Sequence, residues 1–233
     1  MKTISQWFFS ILFLHLQVGF ALADTQTNTA DNPPSHWTHG LDISHHQGTV
    51  DWQKVFSTNA KFIYLKATDG VTYLDPSYLK HIQTLSQGPL FVGAYHFFEP
   101  KDKGQDQATH FLKYFTAKGM LPPVLDVEVI GSTKPQTLRH EVMQWLSQVE
   151  ASTKCKPIIY TNRIFWEKYL GNHFKDYPLW LADYANTISL PTGVNQWAFW
   201  QHTQTGRLDG ISVDVDLNFF SGDEDELRSL LCS

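Results

Sequence analysis

Apolar positions along this chain gather into eight short runs: 39–44 (HGLDIS), 60–68 (AKFIYLKAT), 90–98 (LFVGAYHFF), 122–129 (PPVLDVEV), 156–162 (KPIIYTN), 177–184 (YPLWLADY), 196–203 (QWAFWQHT) and 213–220 (VDVDLNFF). Most are apolar at nearly every position rather than at alternate ones. That is the pattern of strands covered on both faces, as in a parallel sheet. Helical patterns follow the first five runs, at 49–57, 75–87, 104–119, 135–152 and 163–170. Asp75 and Pro76 supply a start signal for the second helix, and Gly119 a stop for the third. Residues 185–195 and 204–212, after the sixth and seventh runs, carry no helical pattern. The last stretch, 221–231, opens with Ser221 and Glu224 at capping-box spacing.

Eight strands in βα alternation predict an α/β fold closed into a TIM-like barrel of parallel strands. An open α/β sheet is the alternative. The barrel is preferred because acids and aromatics sit at the ends of several different strands, whereas an open sheet concentrates them at one crevice. A chain of 233 residues suits a single domain, and the missing helices shorten the barrel.

The N-terminus departs from this pattern. Lys2, an apolar stretch from Trp7 to about Phe20, and Ala21-Leu22-Ala23 read as a secretory signal peptide over 1–23. His15 and Gln17 interrupt the apolar stretch, which favours a cleaved signal over a retained anchor. Residues 24–36 read as a polar linker without a core face, and the barrel is placed at 37–233. Export to the periplasm or the medium is expected, with no stable membrane insertion. Cys155 and Cys232 permit one disulfide in an exported chain, or stand as two separate thiols. The formal net charge is −5, with no Lys/Arg stripe, which argues against nucleic-acid binding.

Candidate chemistry starts at PPVLDVEV. Asp126 and Glu128 are two apart, so on a strand they face one way, about 7 Å apart at the backbone. Buried carboxylates are costly unless paired or used. Two so close repel, and one gains a raised pKa suited to a general acid. Glycoside hydrolysis needs such a pair, one protonated and one charged. The alternative is a structural ion pair with Lys66 or Arg163. Asp42, at the end of the first strand, and Asp216, in the last, shift the balance, because first and last strands are neighbours in a closed barrel. Asp214 competes with Asp216. Aromatic residues at strand ends, Tyr95, Tyr160, Trp180, Tyr184 and Trp200, fit a carbohydrate cleft. His96 is expected to hydrogen-bond within the site. The histidines lack metal-ligand spacing, so no metal and no cofactor is expected.

Together the stretches GLDISHHQG, FIYLKATDG, GAYHFF, PVLDVEV, IIYTN, LWLADY, WQHT and VDLNFF resemble glycoside hydrolase family 25, the Chalaropsis-type lysozymes. The resemblance implies a (β/α)5(β)3 barrel. It also implies hydrolysis of the β-1,4 bond between N-acetylmuramic acid and N-acetylglucosamine in peptidoglycan, by a monomer acting on glycan strands. It places the general acid on Glu128, its partner carboxylate on Asp126, and the other two site acids on Asp42 and Asp216. Asp126 then either orients the substrate's N-acetyl group or acts as the nucleophile. Two departures stand out: the paired histidines of SHHQG, and Asp183 in LADY. No cell-wall-binding repeat follows the last run, so wall affinity is expected from the cleft and surface. A non-catalytic glycan-binding protein and a chitin-directed hydrolase are the competing functions.

Overall fold

The computed structural model describes residues 29–233; the expected signal peptide and the first part of the expected linker lie outside them. Strands β1 (Thr38–Ile43), β2 (Phe62–Asp69), β4 (Phe91–Phe97), β5 (Val124–Asp126), β6 (Ile158–Asn162), β7 (Leu179–Ala182), β8 (Phe199–Gly206) and β9 (Val215–Phe220) close into one barrel. A short β3 (Tyr73–Leu74) pairs with the end of β2. The first seven barrel strands run parallel to one another. The last does not: β9 is antiparallel to both β8 and β1. This corrects the expectation of closure by parallel strands. With no helix between them, β8 and β9 are joined as a hairpin, and a hairpin reverses direction.

The helices α1 (Trp52–Val55), α2 (Tyr78–Leu85), α3 (Gly104–Leu112) and α4 (Pro135–Thr153) cover the outside. After β6, α5 (Arg163–Phe165) runs into a wider turn at Trp166–Leu170. No helix separates β7, β8 and β9 among the described residues, and α6 (Glu224–Ser229) follows the barrel. Three boundaries differ from expectation. The start of α2 is at Tyr78, because the Asp75 side chain is engaged by Ser77 and His45 instead. The end of α3 is at Leu112, and Phe115 then stacks on Phe111 at 4.9 Å. Gly119 serves a turn further on, with φ of 75°. The capping box of α6 is Asp223 with Glu226, because the Ser221 amide is still bonded to the Ala198 carbonyl, extending the sheet.

Side chains alternate cleanly between two cores. Phe62, Tyr64, Val124, Ile158, Trp180, Phe199 and Phe220 form the inner one. Ile63, Leu65, Ala94, Leu125, Ile159 and Leu181 point outward and pack against the helices, including Val142, Trp145 and Val149 of α4. Each buried aromatic or branched side chain contributes about 1.5–3 kcal/mol. Two glycines admit the large inner rings: a Cβ on Gly40 would meet the Phe62 ring, and one on Gly93 the Tyr64 ring. Cys155 and Cys232 form a disulfide with a Cα–Cα distance of 5.4 Å. The bridge spans 77 positions, and loop-closure entropy makes it worth about 4 kcal/mol. Residues 29–36 are not free of the core: Ala30 packs beside Trp37, Trp200 and Phe219, and its amide bonds the Asn186 carbonyl at 2.7 Å.

Candidate active site

The inner face changes character toward the C-terminal ends of the parallel strands. Asp42, Tyr95, Asp126, Glu128, Tyr160, Trp180, Gln201 and Asp216 line a single pocket there. Register explains the gathering. Asp42 on β1 is the direct partner of Asp216 on β9. Because β9 runs backwards, a residue near its start arrives at the mouth where the other strands end. On β5, the Asp126 carbonyl accepts from Phe98 N and the Val127 amide donates to the Tyr160 carbonyl, both at 2.9 Å. Thr161 Oγ1 donates to the Val127 carbonyl at 2.7 Å. The backbone beneath Asp126 and Glu128 is therefore fastened from both neighbouring strands.

Asp42 is held by two amides. Gln201 Nε2 and Asn218 Nδ2 donate to its Oδ2 at 2.9 and 2.8 Å. The hydroxyls of Tyr160 and Tyr184 each donate to Gln201 Oε1 at 2.9 Å. Trp180 Nε1 donates to Asn218 Oδ1 at 2.9 Å. Each amide is thus oriented by an aromatic donor, so its NH2 group is the end presented to the acid. The sequence reading missed both amides. The signal was available: each is a polar residue inside a run of buried aromatics.

All four acids have raised pKa values. Burial is the largest cause for Asp42, followed by the Asp216 charge, with the Asn218 and Gln201 bonds opposing in part. Burial also raises Asp216, against the hydrogen bond it makes with Asp42. Burial pushes Asp126 well up, with Glu128 adding to it and Lys66 opposing. Glu128 rises through burial and the Asp216 charge, again opposed by Lys66. Asp126 is the deeper of its pair, and its Oδ1 is buried without a hydrogen-bond partner among the described residues. Crowding predicts one raised acid in this pair; in the folded protein both are raised, desolvation leads, and it acts more strongly on Asp126 than on Glu128.

The structural ion-pair alternative does not describe this pocket. Lys66 Nζ bonds Asp69 at 3.0 Å, and Arg163 lies 3.6 Å from Glu167. Asp214 pairs with Arg207 at 2.7 Å on the surface, before β9 begins, which separates it from Asp216. Tyr95, Tyr160 and Trp180 line the pocket, and Tyr184 is half exposed at its edge. His96 and Trp200 are placed elsewhere, contrary to expectation. Each is one residue from an inward position, so strand alternation turns it outward. His96 is buried between Thr68 Oγ1 at 2.7 Å and Gln107 Oε1 at 3.0 Å, stacked on Trp145, and burial pushes its pKa down to about 3. Trp200 packs on Trp37 and donates to the Asp183 carbonyl at 2.7 Å. A larger cleft, about 1180 Å³, lies at the opposite end of the barrel beside the disulfide and contains none of the four acids.

A barrel that delivers four carboxyls and several aromatic rings to one mouth has the equipment of a glycoside hydrolase. The family model described as Glycosyl hydrolases family 25 matches residues 41–211. The chain belongs to this family, and it is a glycoside hydrolase. It is 38% identical over 205 residues to "Uncharacterized protein YegX" of Escherichia coli (strain K12), covering 85% of this chain and 75% of that one. It is 31% identical to "Lysozyme M1" of Streptomyces globisporus, over 82% of this chain and 70% of the relative. It is 30% identical to "N,O-diacetylmuramidase" of Chalaropsis sp, over 82% and 97% respectively. Among solved structures, the bacterial lysozyme from Streptomyces coelicolor superposes with a TM-score of 0.80 at 30% identity, over 85% of this chain and 98% of that one.

Proposed function

We propose that the protein is an exported N-acetylmuramidase, cutting the β-1,4 bond between N-acetylmuramic acid and N-acetylglucosamine in peptidoglycan. The observation that carries this reading is the pairing of Asp126 and Glu128 at the barrel mouth in a chain akin to lysozymes. Glu128, half-buried with a raised pKa, donates its proton to the leaving oxygen and later takes one from the attacking water. Asp126 supports the positive charge that develops at the sugar. Its partnerless Oδ1 suits the N–H of the substrate's acetamido group, whose oxygen then attacks the anomeric carbon. Covalent attack by Asp126 itself is the alternative, and trapping of a glycosyl ester on Asp126 would establish it. Asp42 and Asp216 complete the acidic mouth, and Tyr95, Tyr160, Trp180 and Tyr184 offer rings and hydroxyls to the saccharide. Export is supported by the signal-like residues 1–23 and by the disulfide, which persists in oxidising compartments.

Digestion of purified peptidoglycan by the mature protein tests this. New reducing N-acetylmuramic acid ends, identified by mass spectrometry, are expected. Reducing N-acetylglucosamine ends, or cleavage of chitin oligomers alone, would overturn the muramidase reading. Binding without turnover would leave a glycan-binding protein.

A further inference from the structure

The turn after β1 carries two histidines that the reaction above does not use. His45, His46 and Gln47 form one tight turn closed by a reciprocal cap. Ser44 Oγ accepts from the His46 amide at 3.3 Å, and Gln47 Oε1 accepts from the Ser44 amide at 2.9 Å. Gln47 Nε2 donates to the Asp214 carbonyl at 3.2 Å. The turn therefore links the strand of Asp42 to the segment leading into Asp216, on the rim of the acid pocket.

Asp75 lies buried behind His45. Its Oδ2 accepts from the His45 amide at 3.1 Å and lies 2.8 Å from His45 Nδ1. Its Oδ1 accepts from the amide and hydroxyl of Ser77 at 2.9 and 2.6 Å. Burial alone would raise this carboxyl, but the bonds from Ser77 and His45 outweigh it and hold the pKa below its ordinary value. An ionised Asp75 accepts from Nδ1 and so fixes which ring nitrogen faces the carboxylate, leaving Nε2 as the nitrogen turned away from it. His45 Nε2 has no hydrogen-bond partner among the described residues, and the side chain is 37% exposed. Its ring is held in place: His46 lies against it at 4.0 Å, and the Tyr73 hydroxyl is 3.3 Å from Nδ1.

We propose that His45 contacts the saccharide on the rim of the cleft, its Nε2 forming a hydrogen bond with a hydroxyl or the acetamido group of an N-acetylated sugar beyond the cleaved bond, with Asp75 as the positioning residue. The proposal rests on the carbohydrate reading of the cleft. A hydrogen bond to a sugar suits this place better than a site for an anion, because Asp42, Asp126, Glu128 and Asp216 already crowd the mouth.

The test combines two readouts. Steady-state kinetics are measured on peptidoglycan, and binding of the soluble N-acetylglucosamine trimer is titrated on the Glu128→Gln background. His45→Ala is expected to raise both KM and Kd about tenfold, the effect of one lost hydrogen bond, with kcat within about twofold. His45→Gln places an amide, able to donate or accept, near the lost Nε2 and is expected to restore most of the affinity. Asp75→Asn, which weakens the hold on the His45 ring, is expected to fall between. The proposal is overturned if the trimer does not bind the His45 protein. It is equally overturned if His45→Ala leaves KM and Kd unchanged or lowers kcat alone, or if His45→Gln binds no better than His45→Ala. A protein that binds the trimer but leaves peptidoglycan uncut would refute the muramidase reading, while the titration still decides the role of His45.

Discussion

The two sides of the barrel mouth carry the same functional group and treat it in opposite ways. On the β1–β8–β9 side, Asp42 is held by the amides of Gln201 and Asn218, and three aromatic side chains hold those amides in turn. On the β5 side, Asp126 is as deeply buried but keeps an oxygen with no partner among the described residues, and Glu128 is partly open to solvent. A buried acid surrounded by donors is a finished piece of structure. One left wanting a donor is an incomplete site that substrate can complete. The contrast assigns framing to the first side and chemistry to the second.

Three measurements bear on that contrast. The largest effect belongs to Glu128→Gln, which is expected to lose at least about 10²-fold in kcat/KM on peptidoglycan while unfolding at the same temperature. A near-normal rate would move the proton transfer elsewhere in the mouth. On the framing side, Asn218→Ala removes one donor from Asp42 and strands Trp180 Nε1. The expected loss is about 1–3 kcal/mol of stability, read as a drop in Tm. An unchanged Tm would show that the frame is not structural. The smallest effect is a gain. Asp126 has a raised pKa in the folded protein, so folded protein keeps a proton that the unfolded chain releases above about pH 4. Its contribution is fully present below that pH and is lost as pH rises through the raised folded value. Asp126→Asn escapes this loss. Its Tm should exceed that of the parent at pH 7 by about 2–4 °C, with the difference shrinking toward pH 4, while activity falls. A Tm advantage that grew on acidification would reverse the assignment of burial as the dominant cause.

Much of this architecture was legible in the sequence because strands covered on both faces must be apolar throughout, and all eight runs became barrel strands. The same property hid what came next. A run that is apolar on both faces does not declare which residues face in, so His96 and Trp200 looked like neighbours of Tyr95 and Gln201 although they belong to the outer layer. Direction is equally invisible in composition, and the reversal of β9 shows only in its pairing, Gly206 with Val215 across the helix-free link after β8. The capping pattern failed for a local reason. S-x-x-E and D-x-x-E overlap in SGDEDE, and Ser221 was still occupied by the sheet. The acids were readable because their cost in such surroundings demands an explanation, whereas the amides that frame Asp42 carry no charge to draw attention.

The reversed last strand also fixes when the mouth exists. Asp42 and the Asn218 that holds it are 176 positions apart and meet only when β9 docks on β1. Contacts of such separation form slowly, since most of the chain must be ordered before they repay the loop closure. A partly folded chain can therefore hold Asp126 and Glu128 on their strand, yet lack the wall opposite them. Turnover becomes a stringent reporter of closure: refolding followed by hydrolysis should lag refolding followed by helical signal, the interval being the time the chain takes to find its own two ends.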